Sequence, residues 1–82
     1  MEKEIGKVTH WYDKIGVAVI GLTGALKVGD IIKVKKGEDE FEDTVVSMQI
    51  DHKNVSSAQK GDEVAVKLAR TTREGAVIYK ME

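Results

Sequence analysis

The sequence predicts an all-β protein that folds as a small closed or nearly closed antiparallel barrel of about six strands. Apolar and polar residues alternate over several short runs, and turns containing glycine separate these runs at regular intervals. No window shows sustained helical periodicity, which argues against a layout of alternating strands and helices. A flat sheet of this size would expose two strand edges, so we expect the sheet to close.

The composition is that of one folded, soluble domain. With 82 residues, we expect a single domain over residues 1–82 whose core lies at about 5–80. The chain is 41% hydrophobic and 33% charged, and its lysine and glutamate content is typical of heat-adapted proteins. Cysteine is absent, which excludes disulfides and thiolate metal sites. The charged N-terminus and the lack of a long apolar stretch predict a cytoplasmic protein without a membrane partner.

The first half of the chain predicts a hairpin followed by a third strand. Residues 7–12 alternate, which places Val8, His10 and Tyr12 on the inward face, with Val8 in the core, and leaves Trp11 on the outer face. A turn at 13–16 leads into a β-branched run with Val19 assigned to the core. Residues 31–35 form the next strand, and the acidic run that follows is expected to be a solvated hairpin loop. The inward residues of the third strand are Ile32 and Val34.

The second half predicts three more strands. Residues 44–53 are expected to form one long strand with Val46, Met48, Ile50 and His52 inward and Val45 outward. A strand after Gly61 and Asp62 follows, and a last strand covers residues 76–80. The inward residues of the strand after Gly61 are Val64, Val66 and Leu68.

Three segments carry a resemblance to a known family: residues 26–34 (Leu-Lys-Val-Gly-Asp-Ile-Ile-Lys-Val), 45–50 (Val-Val-Ser-Met-Gln-Ile) and 58–68 (Ala-Gln-Lys-Gly-Asp-Glu-Val-Ala-Val-Lys-Leu). Their order and spacing resemble the β-barrel second domain of translation elongation factor GTPases of the elongation factor Tu type. Similar barrels also occur as appended domains of other proteins, including collagenase-like peptidases of family U32. In each turn, the aspartate after the glycine is expected to bond to its own turn backbone.

The resemblance implies a non-enzymatic interaction module that contacts RNA, the ribosome or a translation-related protein. The alternative is a protein-interaction or scaffold barrel without a nucleic-acid role, favoured by the net charge of -1 and by Ile31 and Val45 on outer faces. The phosphate-binding loop of the GTPases is absent, so we expect no nucleotide partner. Leu22 follows Gly21 where the family often has an arginine, so no family binding residue is transferred.

The sequence predicts no catalytic residue, cofactor or metal site. Asp51 and His52 are neighbours in a predicted strand and would point to opposite faces, which excludes a catalytic pairing between them. His10 and His52 lack an obvious third ligand for a metal.

The candidate partner-binding or RNA-binding residues are Lys33, Lys35, Lys67 and Trp11. Lys33 and Lys35 share one strand face, and a neighbouring strand could bring Lys67 beside them as a basic strip. The alternative for the lysines is an ordinary solvated exterior. Trp11 would either stack on a partner or be covered by a loop, and the covered position is favoured.

Overall fold

The computed structural model describes residues 2–81 and shows ten strands and no helix in that range. The described part therefore holds no helix long and apolar enough to cross a membrane. The strands are β1 (Glu2–Tyr12), β2 (Val17–Leu22), β3 (Leu26–Lys27), β4 (Ile31–Lys36), β5 (Asp39–Thr44), β6 (Met48–Ile50), β7 (Lys53–Val55), β8 (Ser57–Ala58), β9 (Glu63–Lys67) and β10 (Val77–Met81).

Eight of the strands form one antiparallel sheet in the order β5-β4-β10-β1-β2-β9-β6-β7, and β3 pairs with β8 in a second sheet. The prediction of a small all-β domain with antiparallel pairing is confirmed. The predicted closure of the sheet into a barrel is not confirmed. Within residues 2–81 the large sheet ends at β5 and β7, and no ladder joins these two strands.

A single apolar core lies on the inner side of the sheet. Predicted core residues Val8, Ile32, Val34, Met48, Val64, Val66 and Leu68 are buried, and Ile50 packs against them partly buried. Val19 is only half-buried, and its neighbours Ala18 and Ile20 take the inward positions. The prediction that Val19 points into the core is therefore wrong. Adjacent residues of a strand point to opposite faces, so an error of one position exchanges the inward and outward residues.

A β-bulge in β1 explains the reversal at the first hairpin. Val8 pairs with Ile20 but His10 pairs with Val19, so Thr9 is an extra residue on the β1 side. Beyond the bulge the faces exchange: Trp11 packs against the core, and Tyr12 is 51% exposed. The predicted inward placement of His10 and Tyr12 is wrong for this reason.

The predicted long strand over residues 44–53 is interrupted twice. Between β5 and β6 the Val45 N–H donates to the Asp30 carbonyl, which turns Val45 inward (1% exposed) and Val46 outward (68% exposed). Asp51 and His52 have φ values of 51° and 64° and form the tight turn of the β6–β7 hairpin. Two successive positive φ values are typical of a type I′ turn, which usually carries Asn-Gly. The faces predicted for Val45, Val46 and His52 are therefore wrong.

The two glycine turns agree with the prediction. Residues 27–30 and 59–62 make equivalent turns with Gly29 at φ 100° and Gly61 at φ 95°. Asp30 Oδ2 accepts from its own turn's first N–H at 3.0 Å, and Asp62 Oδ2 does the same at 3.0 Å. The expectation that each aspartate bonds to its own turn is confirmed.

The acidic run forms a strand and not a loop. Only Gly37 and Glu38 turn the chain, and β5 brings Glu40 opposite Lys35 and Glu42 opposite Lys33. Opposite charges across an antiparallel pair stabilise the pairing. The acidic residues of β5 therefore lie opposite the lysines of β4. These lysines were predicted to belong to a separate basic strip.

Replacing His52 by glycine should stabilise the protein. An L-residue in the left-handed region costs about 1–2 kcal/mol, and glycine removes this cost while losing more chain entropy on folding. We expect the free energy of unfolding to rise by about 0.5–1 kcal/mol in urea denaturation. Lys53→Gly, one residue along in β7, is the control and should destabilise; a loss for His52→Gly as well would contradict the turn geometry.

Candidate functional site

An open groove lies between the β4–β5 hairpin and the loop of residues 69–73 that follows β9. Its volume is about 560 Å³. One wall comes from Lys36, Asp39, Glu40 and Phe41, and the other comes from residues 69–73. We call this feature the β5 groove, because three residues of β5 line it.

The outer edge of β5 has no strand partner in the described part of the chain. β5 pairs with β4 alone, so the N–H and C=O groups on its other edge are not used by a ladder. Charged residues occupy most of β5 and protect such an edge against uncontrolled pairing with other chains. The same edge can accept an extended peptide, whose main chain then supplies the missing bonds.

Two side-chain contacts hold the loop of residues 69–73 close to β5. The Ala69 N–H donates to Asp43 Oδ2 at 2.7 Å, and the Arg70 guanidinium lies 5.5 Å from the centre of the Phe41 ring. Phe41 is half-buried against the core, so its ring forms a fixed base for the arginine. These contacts join β5 to the segment that follows β9.

Charges of both signs line the β5 groove. Lys36, Arg70 and Arg73 contribute three cations, and Asp39 and Glu40 contribute two carboxylates. Glu40 lies 4.0 Å from Lys33, whereas Lys36, Asp39 and Arg73 have no ion-pair partner among residues 2–81. A lining of this kind can bind the polar groups of a peptide backbone and side chains of either charge.

The structure does not assemble the predicted basic strip. Lys33 and Lys35 lie on β4, whose neighbours are β5 and β10, whereas Lys67 lies on β9 between β2 and β6. The predicted placement of Lys67 on a neighbouring strand is therefore wrong, because the strand order could not be read from local alternation. Lys67 and Lys35 are exposed.

Lys33 is part of an acidic neighbourhood. Its Nζ lies 3.0 Å from Glu2 Oε1, and its side chain is only 18% exposed. The hydrogen bond to Glu2 raises the pKa of Lys33 above its ordinary value; partial desolvation opposes this, and the charges of Glu2, Glu40 and Glu42 add to it. Lys33, on β4, thus forms ion pairs with carboxylates on β1 and β5.

Trp11 is half-buried beside the core, which agrees with the covered alternative. Its indole Nε1–H donates to Asp13 Oδ1 at 3.1 Å. Both the ring face and the polar atom of Trp11 therefore have contacts within the protein.

The two histidines lie on different elements. His10 Nδ1 is 3.5 Å from Glu74 Oε2 at an exposed site, and His52 lies in the β6–β7 turn. Among residues 2–81 no cluster of three histidine or carboxylate side chains could hold a metal ion.

The residues that line the β5 groove were not predicted from the sequence. Both arginines of the chain, Arg70 and Arg73, and its only phenylalanine, Phe41, lie in this lining. The concentration of both arginines within four residues of one loop was the available signal. Their contact with Phe41 was not predictable, because Phe41 lies in a segment that appeared to be a solvated loop.

Comparisons with known proteins connect the chain to proteases. No protein-family model matches the chain. The chain is 45% identical over 80 residues to an uncharacterized protease of Methanocaldococcus jannaschii, a match that covers 96% of this chain and 20% of that protein. The chain thus spans about a fifth of the length of this relative.

Solved structures show the same fold. The C-terminal domain of a Geobacillus thermoleovorans protein whose name assigns it to the U32 peptidases matches with a TM-score of 0.90 at 16% identity, over 98% of this chain and 93% of that chain. The selenomethionine variant of that domain matches with a TM-score of 0.87 at 15% identity, over 93% and 96% of the two chains. At these identities the likeness concerns the fold alone.

These findings overturn the identification of the chain as an elongation factor barrel. The sequence relative is named an uncharacterized protease, and the matching structures are of the C-terminal domain of a protein named as a U32 peptidase. The translation-factor function, with RNA or the ribosome as partner, is therefore wrong, and the relatives point to a protease-associated domain. Their protease names also give no support to the expectation that the chain is not an enzyme.

The resemblance to the elongation factor barrel led to a wrong function because the matching residues specify turns of the backbone. Residues 26–34 and 58–68 each consist of a Gly-Asp turn and the strand that leaves it. The turn needs a glycine at positive φ and an aspartate that bonds to the turn backbone. The motif thus encodes backbone geometry, and one fold can serve unrelated functions.

Proposed function

We propose that the chain is the accessory β domain of a U32-type peptidase. The observation that carries this proposal is the 45% identity over 96% of the chain to one fifth of a protease. The likeness to a C-terminal domain of a U32 peptidase supports it, since that domain has the same size and fold. On this proposal the catalytic groups belong to the larger part of the peptidase.

The accessory domain binds an extended segment of the polypeptide substrate in the β5 groove. A substrate segment in extended form pairs with the free edge of β5, and main-chain bonds of this kind recognise any sequence. Arg70, fixed over Phe41, and Arg73 contact carboxylates and main-chain carbonyls from the opposite wall. A completely paired barrel would occupy this edge, so the open sheet suits the proposed function.

Removal of both groove arginines should weaken peptide binding. The probe is fluorescein-labelled β-casein, an unfolded polypeptide, and its anisotropy is measured during titration with the chain. We expect Arg70→Ala/Arg73→Ala to raise the Kd at least about fivefold, because two charge-assisted contacts are lost. Lys53→Ala/Lys60→Ala removes the same charge from β7 and from the turn before β9, outside the groove lining, and should bind within about twofold of the parent.

The association with a peptidase is tested in a chimaera. The matched 80 residues of the Methanocaldococcus jannaschii protease are replaced by this chain, and a second form lacks the segment altogether. The chimaera should bind the labelled casein more tightly than the shortened form. Equal binding by both forms would contradict the proposed role, as would unchanged casein binding by the arginine variant of the isolated chain.

A further inference from the structure

The structure carries an apolar corner that the β5 groove does not include. Val28, Ile31 and Val46 are 41%, 48% and 68% exposed, and we call them the Val46 corner. The Gly29 N–H donates to the Val45 carbonyl at 2.8 Å, and the Val45 N–H donates to the Asp30 carbonyl at 2.9 Å. These two bonds hold the turn of residues 27–30 against the segment that carries Val46.

Ile31 and Val46 lie on the same outer surface. Ile31 pairs with Thr44, and burial alternates over residues 42–46, so Val46 lies exposed on the same side as Thr44. Val28 occupies the neighbouring turn. Exposed apolar side chains are ordinary when scattered, but three at one corner form a patch that favours a partner.

The segment that carries Val46 is poor in charge. Residues 44–50 contain no charged side chain, although a third of the chain is charged. Asp30, the nearest carboxylate in the turn, is occupied by the Lys27 N–H and lies 3.5 Å from Lys80. Depletion of charge around apolar residues is typical of the centre of a protein interface.

We infer that the Val46 corner docks on the catalytic part of the peptidase, an inference that rests on the proposed function. The matched relative has four fifths of its length outside the segment that this chain resembles, which is where such a partner lies. Three side chains cannot supply the roughly 800 Å² that each partner contributes to a stable interface between free chains. A second copy of the chain is therefore not the occupant. In the relative, the matched segment and the other four fifths share one polypeptide, and linkage of this kind lowers the area that docking needs because it raises the effective concentration.

Hydrogen exchange in the chimaera described above tests this inference. Amides of residues 28–34 and 44–48 should exchange about tenfold more slowly in the chimaera than in the isolated chain, because docking protects them. Amides of residues 12–17, around the exposed Ile15 at the β1–β2 turn, should exchange at the same rate in both. Ile31→Lys/Val46→Lys should abolish the difference, and Ile15→Lys, which places a lysine on another exposed isoleucine, should preserve it.

The remaining outcomes separate the two proposals. Unchanged exchange at residues 28–34 and 44–48, with casein binding intact, would overturn the docking inference and leave the proposed function standing. Sedimentation of the isolated chain as a dimer that Ile31→Lys/Val46→Lys dissolves would also overturn it, since a second copy would then be the occupant. Thermal unfolding of each variant in isolation verifies that the exposed substitutions leave the fold intact.

Discussion

Gly6→Ala lowers the free energy of unfolding by about 3 kcal/mol, the upper end of the usual cost of overpacking. Gly6 lies buried in β1, where an added Cβ would stand 2.6 Å from the Gly21 carbonyl oxygen and 2.9 Å from the Ile20 Cγ2. The oxygen belongs to the backbone of β2 and cannot move without disturbing the β1–β2 pairing. In a domain of this size the melting temperature should fall by about 12 °C or more.

Gly21→Ala is the matched control, because it adds the same methyl group to the facing strand. Its Cβ would meet only the Thr9 Cγ2 at 3.4 Å, a side-chain atom that can shift. We expect a change within about 1 kcal/mol. Circular dichroism during thermal and urea unfolding measures both variants, and similar losses for the two would contradict the close approach of β1 and β2 at Gly6.

Ile20→Ala should cost about 3–4 kcal/mol. Ile20 is 0% exposed at the centre of the core, so the substitution removes three buried carbon atoms and leaves a cavity that the paired strands β1 and β9 cannot easily fill. The measurement is urea denaturation. The m-values of the variant and the parent are compared to check that both unfold in two states.

Val19→Ala decides whether the inward face of β2 is assigned correctly. Val19 is half-buried on the opposite face, and its truncation should cost about 1 kcal/mol. Equal losses at the two positions, or a larger loss at Val19, would contradict the assignment of Ala18 and Ile20 to the inward face of β2.

Much of the fold was accessible from local pattern. The alternation in residues 61–68 correctly placed Val64, Val66 and Leu68 inside, and the same holds for Ile32 and Val34 in β4. The prediction failed where the backbone departs from regular alternation, as at the bulge near Thr9 and in the segment between β5 and β6. A single extra residue leaves no mark in composition but reverses every face beyond it.

The candidate site was less accessible than the fold. Arg70 and Phe41 are 29 positions apart in the sequence, and their contact depends on the loop after β9 returning to the free edge of β5. Lys33 appeared to be a free cation because Glu2 and Glu40 reach it only through the strand order β5-β4-β10-β1.

The sequence by itself determined the all-β class, the two Gly-Asp turns and most of the core, because these depend on the backbone preferences of single residues and on burial with a period of two. Tertiary structure alone decided the strand order, the open edge of β5 and the exposure of Val46. Pairing between distant strands is selected by packing of the whole core, to which each local segment contributes only a part. The β5 groove and the Val46 corner both arise where that pairing stops.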